Sequence, residues 1–215
     1  MITTSKKITI SKTARYYLIG EPSEKIDSVW IVLHGYGQLA EDFIRYFKTV
    51  VTGSTLVIAP EALNRFYLNG FSGKIGSTWM TKEDRENEIK DYLDYLDSVY
   101  DEVVKYGLFR NAKITVLGFS QGAATAGRWV PLGKSKIDRL ILWGGFIPGD
   151  VNQESAIHIL NSVKPLIVLG DQDEFISEDQ FRKEMLRLNE IKLSYEVLLY
   201  KGKHEIKAEI LRQLI

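Results

Sequence analysis

Residues 114–127 read ITVLGFSQGAATAG: a mostly apolar run, a serine between two glycines, then an alanine-rich stretch able to coil. The first six residues suit a strand covered on both faces, because apolar side chains occupy consecutive rather than alternate positions. The last seven suit a helix. Between them, Gly118-Phe119-Ser120-Gln121-Gly122 has the G-x-S-x-G spacing. In a strand–turn–helix setting this spacing puts the serine on a sharp, strained turn, and the glycines let strand and helix approach closely. Ser120 would project its hydroxyl above the sheet. Gln121 would offer a backbone N–H beside it, at the positive end of the new helix.

Similar apolar runs lie on either side: VWIVL (29–33), TLVIA (55–59), LILWG (140–144), PLIVLG (165–170) and YEVLLY (195–200). Helical stretches separate them, at Glu41–Val50, Gln121–Val130, Ser177–Asn189 and Glu205–Leu214, with a further surface helix over residues 155–163. The longest opens at Thr81-Lys82-Glu83-Asp84, in the manner of a capping box with Asp in place of Glu. It then sets Ile89, Leu93, Leu96, Val99 and Val103 on one stripe. Lys7–Ile10 and Arg15–Ile19 read as a hairpin within residues 1–20. Strand–helix alternation of this kind predicts an α/β fold, with a mostly parallel twisted sheet and helices on both faces. No repeat or linker divides the chain, so residues 1–215 are expected to form one domain. Residues 145–164, between the fourth and fifth runs, are too few for a large cap domain.

Composition narrows the function. The 28 Lys and Arg balance the 28 Asp and Glu, and they are scattered, which argues against nucleic acid or an acidic membrane as the main partner. No cysteine is present, so disulfides, thiolate metal sites and a cysteine nucleophile are excluded. No run of signal-peptide or membrane-spanning length occurs, which leads to the expectation of a cytoplasmic protein with no stable membrane insertion.

In an open α/β sheet, chemistry gathers at the carboxyl ends of the strands. A nucleophilic serine needs a base, and the chain holds only His34, His158 and His204. His34 precedes the serine and adjoins a glycine loop, while His158 lies on the surface helix. His204 follows the last apolar run in YKGKHEI, just past a strand end. The imidazole in turn needs a carboxylate to fix its tautomer. Asp173, in the DQDEFIS loop after the fifth run, is the preferred candidate, with Asp171 and Asp150 as alternatives.

The stretch VWIVLHGYGQLA (29–40) supports two readings. Gly35, Gly37 and Ala40 match the dinucleotide loop G-x-G-x-x-G/A, and Glu61 stands near the spacing of a ribose-binding acid. A strand ending in His-Gly-x-Gly can equally present a backbone N–H to an oxyanion. A nicotinamide enzyme has no need of GFSQG at one strand end, or of an aspartate and a histidine at others. A serine hydrolase needs a second N–H donor here. The loop is therefore read as serving a transition state.

Together, LHGYG (33–37), GFSQGA (118–123), GDQDEFI (170–176) and GKHEI (202–206) resemble the phospholipase/carboxylesterase family of α/β-hydrolases, the group that includes acyl-protein thioesterases. The resemblance runs nearly the whole way from Ser28 onward, and the chain order Ser120…Asp173…His204 is that of α/β-hydrolases. It implies a catalytic triad of Ser120, Asp173 and His204, oxyanion amides at Tyr36 and Gln121, and neither cofactor nor metal. Two places depart from the family pattern. Gln38 stands where an aspartate is common, and Met80-Thr81 follows Trp79 where thioesterases tend to show Phe-Asp.

The expected activity is a serine carboxylesterase that cleaves esters, or thioesters, of small to medium acyl chains through an acyl-serine. The partner is a small-molecule ester, and a homodimer is compatible with this reading. Phe66, Tyr67, Phe71 and Trp79, on an adaptable Gly-containing loop over 63–79, together with Phe146 and Ile147, are the expected substrate-binding walls. The alternatives are a catalytically silent binding module on the same fold and a dinucleotide-binding oxidoreductase.

Overall fold

In a computed structural model, which describes residues 3–105 and 111–215, the apolar runs become strands of one seven-stranded sheet. The first part of the chain forms β1 (Tyr16–Ile19), β2 (Ser28–Leu33), α1 (Ala40–Phe43) running into a 3-10 turn, β3 (Thr55–Pro60), β4 (Asn64–Tyr67) and β5 (Ile75–Thr78). There follow α2 (Arg85–Lys105), β6 (Lys113–Phe119), α3 (Gln121–Leu132), β7 (Arg139–Trp143) and α4 (Glu154–Val163). The chain closes with β8 (Leu166–Gly170), α5 (Glu178–Glu190), β9 (Glu196–Tyr200) and α6 (Ala208–Leu211). The sheet order is β1-β3-β2-β6-β7-β8-β9, with β1 antiparallel to β3 and every other neighbour parallel. β4 and β5 pair antiparallel in a small sheet of their own.

The central runs are largely apolar because their strands feed two cores. In β2, Val29, Ile31 and Leu33 pack in a cluster with α2, α3 and α4, while Trp30 and Val32 pack on the other face with α1 and α6. β6 divides in the same way, with Val116 on the first face and Leu117 and Phe119 on the second. Full burial of one such side chain stabilises the fold by about 1.5–3 kcal/mol. A charged residue in the middle of β2 would thus be buried against one core or the other.

The order places the site. The chain moves from β2 outward to β3, then returns across β2 to lay down β6 on its other side. The loops leaving β2 and β6 therefore diverge, opening a crevice between two carboxyl ends. Leu33 is in register with Gly118, so the His34–Gln38 loop and Ser120 emerge side by side.

Three local expectations are corrected. Residues 7–10 form no strand. The backbone of β1 is paired with β3 instead, Ile8 and Ile10 stay exposed, and Lys7 is held by Asp84 on the α2 side. No capping box starts α2 at Thr81. The helix begins at Arg85 after Asp84 takes a left-handed turn (φ +49°), and the Thr81 amide and hydroxyl donate to Glu88. The 63–79 segment is a hairpin, β4–β5, rather than a free loop, with positive φ at Gly70 and Gly73 near its tip.

Candidate active site

Ser120 sits between β6 and α3 with φ +56° and ψ −116°, a conformation that non-glycine residues rarely adopt. Packing imposes it. A Cβ at Gly118 would lie 2.1 Å from the Gly122 carbonyl oxygen, and one at Gly122 would lie 2.1 Å from that of Leu33. The helix thus starts almost in contact with the strand layer, and the chain can reach it only through a tight turn. The turn is pinned at both ends: Ser120 N–H donates to Trp143 O at 2.8 Å, and Ala123 N–H donates to Ser120 O at 2.9 Å.

His204 and Asp173 meet at the same rim. His204 Nδ1 donates to Asp173 Oδ2 at 2.7 Å. Asp173 Oδ1 accepts from the Phe175 and Ile176 amides at 2.9 and 3.2 Å, so both carboxylate oxygens are occupied although the side chain is only 2% exposed. The imidazole packs beside Phe119, the residue before the serine, with ring centroids 4.9 Å apart, and lies against the Cα of Gly144. A Cβ at Gly144 would stand 2.8 Å from His204 Cε1, which explains the glycine. Among the described residues no hydrogen bond joins the Ser120 hydroxyl to His204, a contact that in free enzymes often tightens only with substrate.

The loop bearing His204 is anchored from below. Tyr200 OH donates to Lys203 O at 2.8 Å, and Trp143 Nε1 donates to Glu205 O at 2.9 Å, so both neighbours of the histidine are fixed. The other two carboxylate candidates are engaged elsewhere. Asp171 Oδ1 accepts from Gly202 N–H at 3.0 Å. Asp150 is gripped by Arg128 through two nitrogens and by Arg85; burial pushes its carboxyl up, but these bonds outweigh it and hold it at about 2.

On the opposite side, Gly35 lies against Ser120, its Cβ position only 3.2 Å from the serine Cβ. Gln38 Oε1 accepts from Gly35 N–H at 2.8 Å and so closes the loop on itself. β5 fixes the loop from outside: Gly37 N–H donates to Ser77 O at 2.9 Å, and Ser77 N–H donates to Gln38 O at 3.1 Å. Neither Tyr36 N–H nor Gln121 N–H has an acceptor among the described residues. Two unused amides therefore bracket the serine.

His34 is fully buried beneath the loop. Its Nδ1–H donates to Gly35 O at 2.8 Å and its Nε2 accepts from Ala62 N–H at 3.1 Å, which defines one neutral tautomer. Burial pushes its pKa down to about 4. Because the unfolded histidine protonates near 6.5, the folded state loses stability as pH falls from about 6.5 to about 4, by roughly 3 kcal/mol in all, and gains nothing further above that window. An imidazole NMR titration should place His34 near pH 4 in the folded protein, and His34→Gln should remove this part of the acid sensitivity. A folded-state midpoint near 6.5 would refute the assignment.

The expected walls divide. Phe66 and Tyr67 lie on β4, with the Phe66 ring tilted against that of Tyr36 at a centroid distance of 5.2 Å, and Phe71 projects from the hairpin tip, 98% exposed. Phe146 is half-buried against Phe181. Trp79 and Ile147 are different: each is only 1% exposed, so neither presents a surface to a substrate. Trp79 instead donates its indole N–H to His34 O at 2.8 Å, supporting the loop from within the core. The sequence reading also missed the Gln121 side chain, which accepts from Trp79 N–H and donates to Met80 O, tying the segment after β5 to the start of α3. Glu61 is buried, with both its oxygens held by Arg15, and is not free to bind a ribose.

A parallel sheet with a strained serine after its central strand and a histidine–aspartate pair at the same rim is the architecture of α/β-hydrolases. The sequence profile of the phospholipase/carboxylesterase family matches residues 14–215, and the chain belongs to that family of hydrolases. Solved structures of the same fold include acyl-protein thioesterase 2 of Zea mays, at 17% identity over 94% of this chain and 96% of that one (TM-score 0.70). The Bacillus cereus carboxylesterase aligns at 16% identity over 94% and 91% (TM-score 0.67). A phospholipase/carboxylesterase from Dyadobacter fermentans aligns at 18% identity over 96% of each (TM-score 0.63). No curated protein sequence matches the chain. Among the described residues, no helix is long and apolar enough to cross a membrane.

Proposed function

We propose that the protein is a serine esterase that cleaves small to medium acyl esters, or thioesters, through an acyl-serine. The observation that carries this reading is the 2.7 Å bond from His204 Nδ1 to Asp173 Oδ2 at the rim of the turn that holds Ser120. With Nδ1–H committed to the carboxylate, Nε2 is the basic nitrogen. It takes the Ser120 proton as Oγ bonds to the ester carbonyl carbon. The negative charge that develops on the carbonyl oxygen is met by the amides of Tyr36 and Gln121. Collapse breaks the bond to the leaving oxygen, which receives the proton from Nε2. Water then repeats the sequence on the acyl-serine and releases the acid.

The amide donors belong to the backbone, so side-chain changes at Tyr36 should matter less than changes at the triad. The test is covalent labelling with a fluorophosphonate probe alongside hydrolysis of nitrophenyl esters. Stoichiometric labelling that disappears in Ser120→Ala is expected. An unlabelled wild-type protein without ester hydrolysis would instead make this chain a binding module on a hydrolase fold.

A further inference from the structure

Phe175 has no place in the chemistry above, yet its position is tightly fixed. Its backbone N–H donates at 2.9 Å to Asp173 Oδ1, on the same carboxylate that orients His204 through Oδ2. Its ring meets the imidazole edge-on, with centroids 4.8 Å apart and planes at 61°. The ring is nonetheless 68% exposed, so it forgoes most of the gain from burying a phenylalanine. The other neighbours of the imidazole are interior groups: Asp173 at Nδ1, Gly144 at Cε1 and Phe119 against the ring. Phe175 is the one of these that turns an apolar face to the solvent.

We infer that Phe175 is a specificity-determining residue for the leaving group: its exposed ring forms the wall against which the alcohol portion of the ester packs, favouring large apolar or aryl alcohols. The inference rests on the serine-esterase reading above. In that reaction the leaving oxygen must come within hydrogen-bond reach of Nε2 to collect its proton. The first carbons of the alcohol are then held within a few ångströms of the imidazole, the distance at which the Phe175 ring stands. Of the groups on the tetrahedral carbon, the oxyanion faces the Tyr36 and Gln121 amides and the leaving oxygen faces Nε2, so the alcohol is the substituent held against this wall.

The two portions can be separated kinetically. Esters with one acyl group and different alcohols pass through the same acyl-serine, so their deacylation rates are identical and only acylation senses the alcohol. The experiment compares methyl, butyl and benzyl esters of a single acid, and a series of acids esterified with methanol, in wild type, Phe175→Ala and Phe175→Leu. Phe175→Ala should lower kcat/KM for the butyl and benzyl esters about 10-fold or more, within the range for losing apolar contact in a specificity site. The methyl esters should change less than about twofold across the acid series, and Phe175→Leu should recover part of the butyl rate but not the benzyl rate.

Fluorophosphonate labelling expels fluoride and involves no alcohol, so its rate should be the same in Phe175→Ala as in wild type. A uniform fall across all esters, accompanied by slower labelling, would overturn the inference and make Phe175 a support for His204. Unchanged kcat/KM for every ester would overturn it as well. Absence of labelling in the wild type would instead refute the underlying serine chemistry, so the two failures are distinguishable.

Discussion

Replacing Ser120 with alanine should lower turnover of a nitrophenyl ester by about a million-fold, and His204→Ala should do nearly the same, with the double variant little worse than either. The effects do not add because hydroxyl and imidazole act as one unit: a serine with no base is a poor nucleophile, and a base with no serine has nothing to activate. Stability gives an independent reading of the same residue. At φ +56° and ψ −116° the Ser120 backbone is strained, and the strain belongs to the turn rather than to the side chain. Ser120→Ala should therefore fold about as well as wild type. Ser120→Gly, free of the Cβ penalty, should be more stable by about 1 kcal/mol while remaining inactive. Steady-state kinetics and urea midpoints on the two variants check both halves. Turnover within about tenfold of wild type in either variant would remove Ser120 from the mechanism, and a Gly variant less stable than the Ala variant would deny the strain.

The placement of Ser120, Asp173 and His204 at strand ends is legible in the sequence because each follows an apolar run that marks a strand. In a parallel sheet those ends share one rim. Positions set by long-range contacts were not legible. The β4–β5 hairpin reads NRFYLNGFSGKIGST, in which polar residues and three glycines interrupt the apolar ones, and no period-2 pattern marks its strands. It is stabilised by pairing Ser77 with Gln38 in the loop after β2, a contact between residues far apart in the chain. The N-terminal arm failed in the opposite sense. Lys7–Ile10 alternates like a strand, but β1 pairs with β3 alone, no partner strand lies on its outer edge among the described residues, and Ile8 and Ile10 stay exposed.

Trp79 illustrates a third limit. Its type and place near the site are visible in the sequence, whereas whether it lines the site or supports it depends on one hydrogen bond, from its indole to His34 O. Phe175 shows the converse. Two residues from the predicted aspartate, it looks like an ordinary apolar residue in a loop, and only its exposure beside the imidazole sets it apart. A search of the predicted loop for large apolar residues with no strand or helix periodicity would have found it.

The second large effect is expected at Asp173, and its chemistry follows from how the carboxylate is held. Oδ1 accepts from the Phe175 and Ile176 amides, and Oδ2 accepts from His204 Nδ1–H. In Asp173→Asn, the two amides can be satisfied only by the carbonyl oxygen, so the new side chain is pinned with its NH2 group facing the imidazole. That group donates and cannot accept, so it selects the tautomer with Nδ1 bare and Nε2 protonated. A protonated Nε2 cannot take the proton of Ser120. The variant should therefore keep its fold, since all three hydrogen bonds survive with one reversed, and yet lose about 10⁴-fold in kcat. Asp150→Asn and Asp171→Asn, which alter no contact of the imidazole, should stay within about tenfold of wild type, separating orientation of the base from the general loss of a negative charge near the site. ¹⁵N chemical shifts of the His204 ring in the Asp173→Asn variant would show the tautomer directly. Activity near wild type in Asp173→Asn, or an imidazole still protonated at Nδ1, would mean that a group other than this carboxylate sets the base.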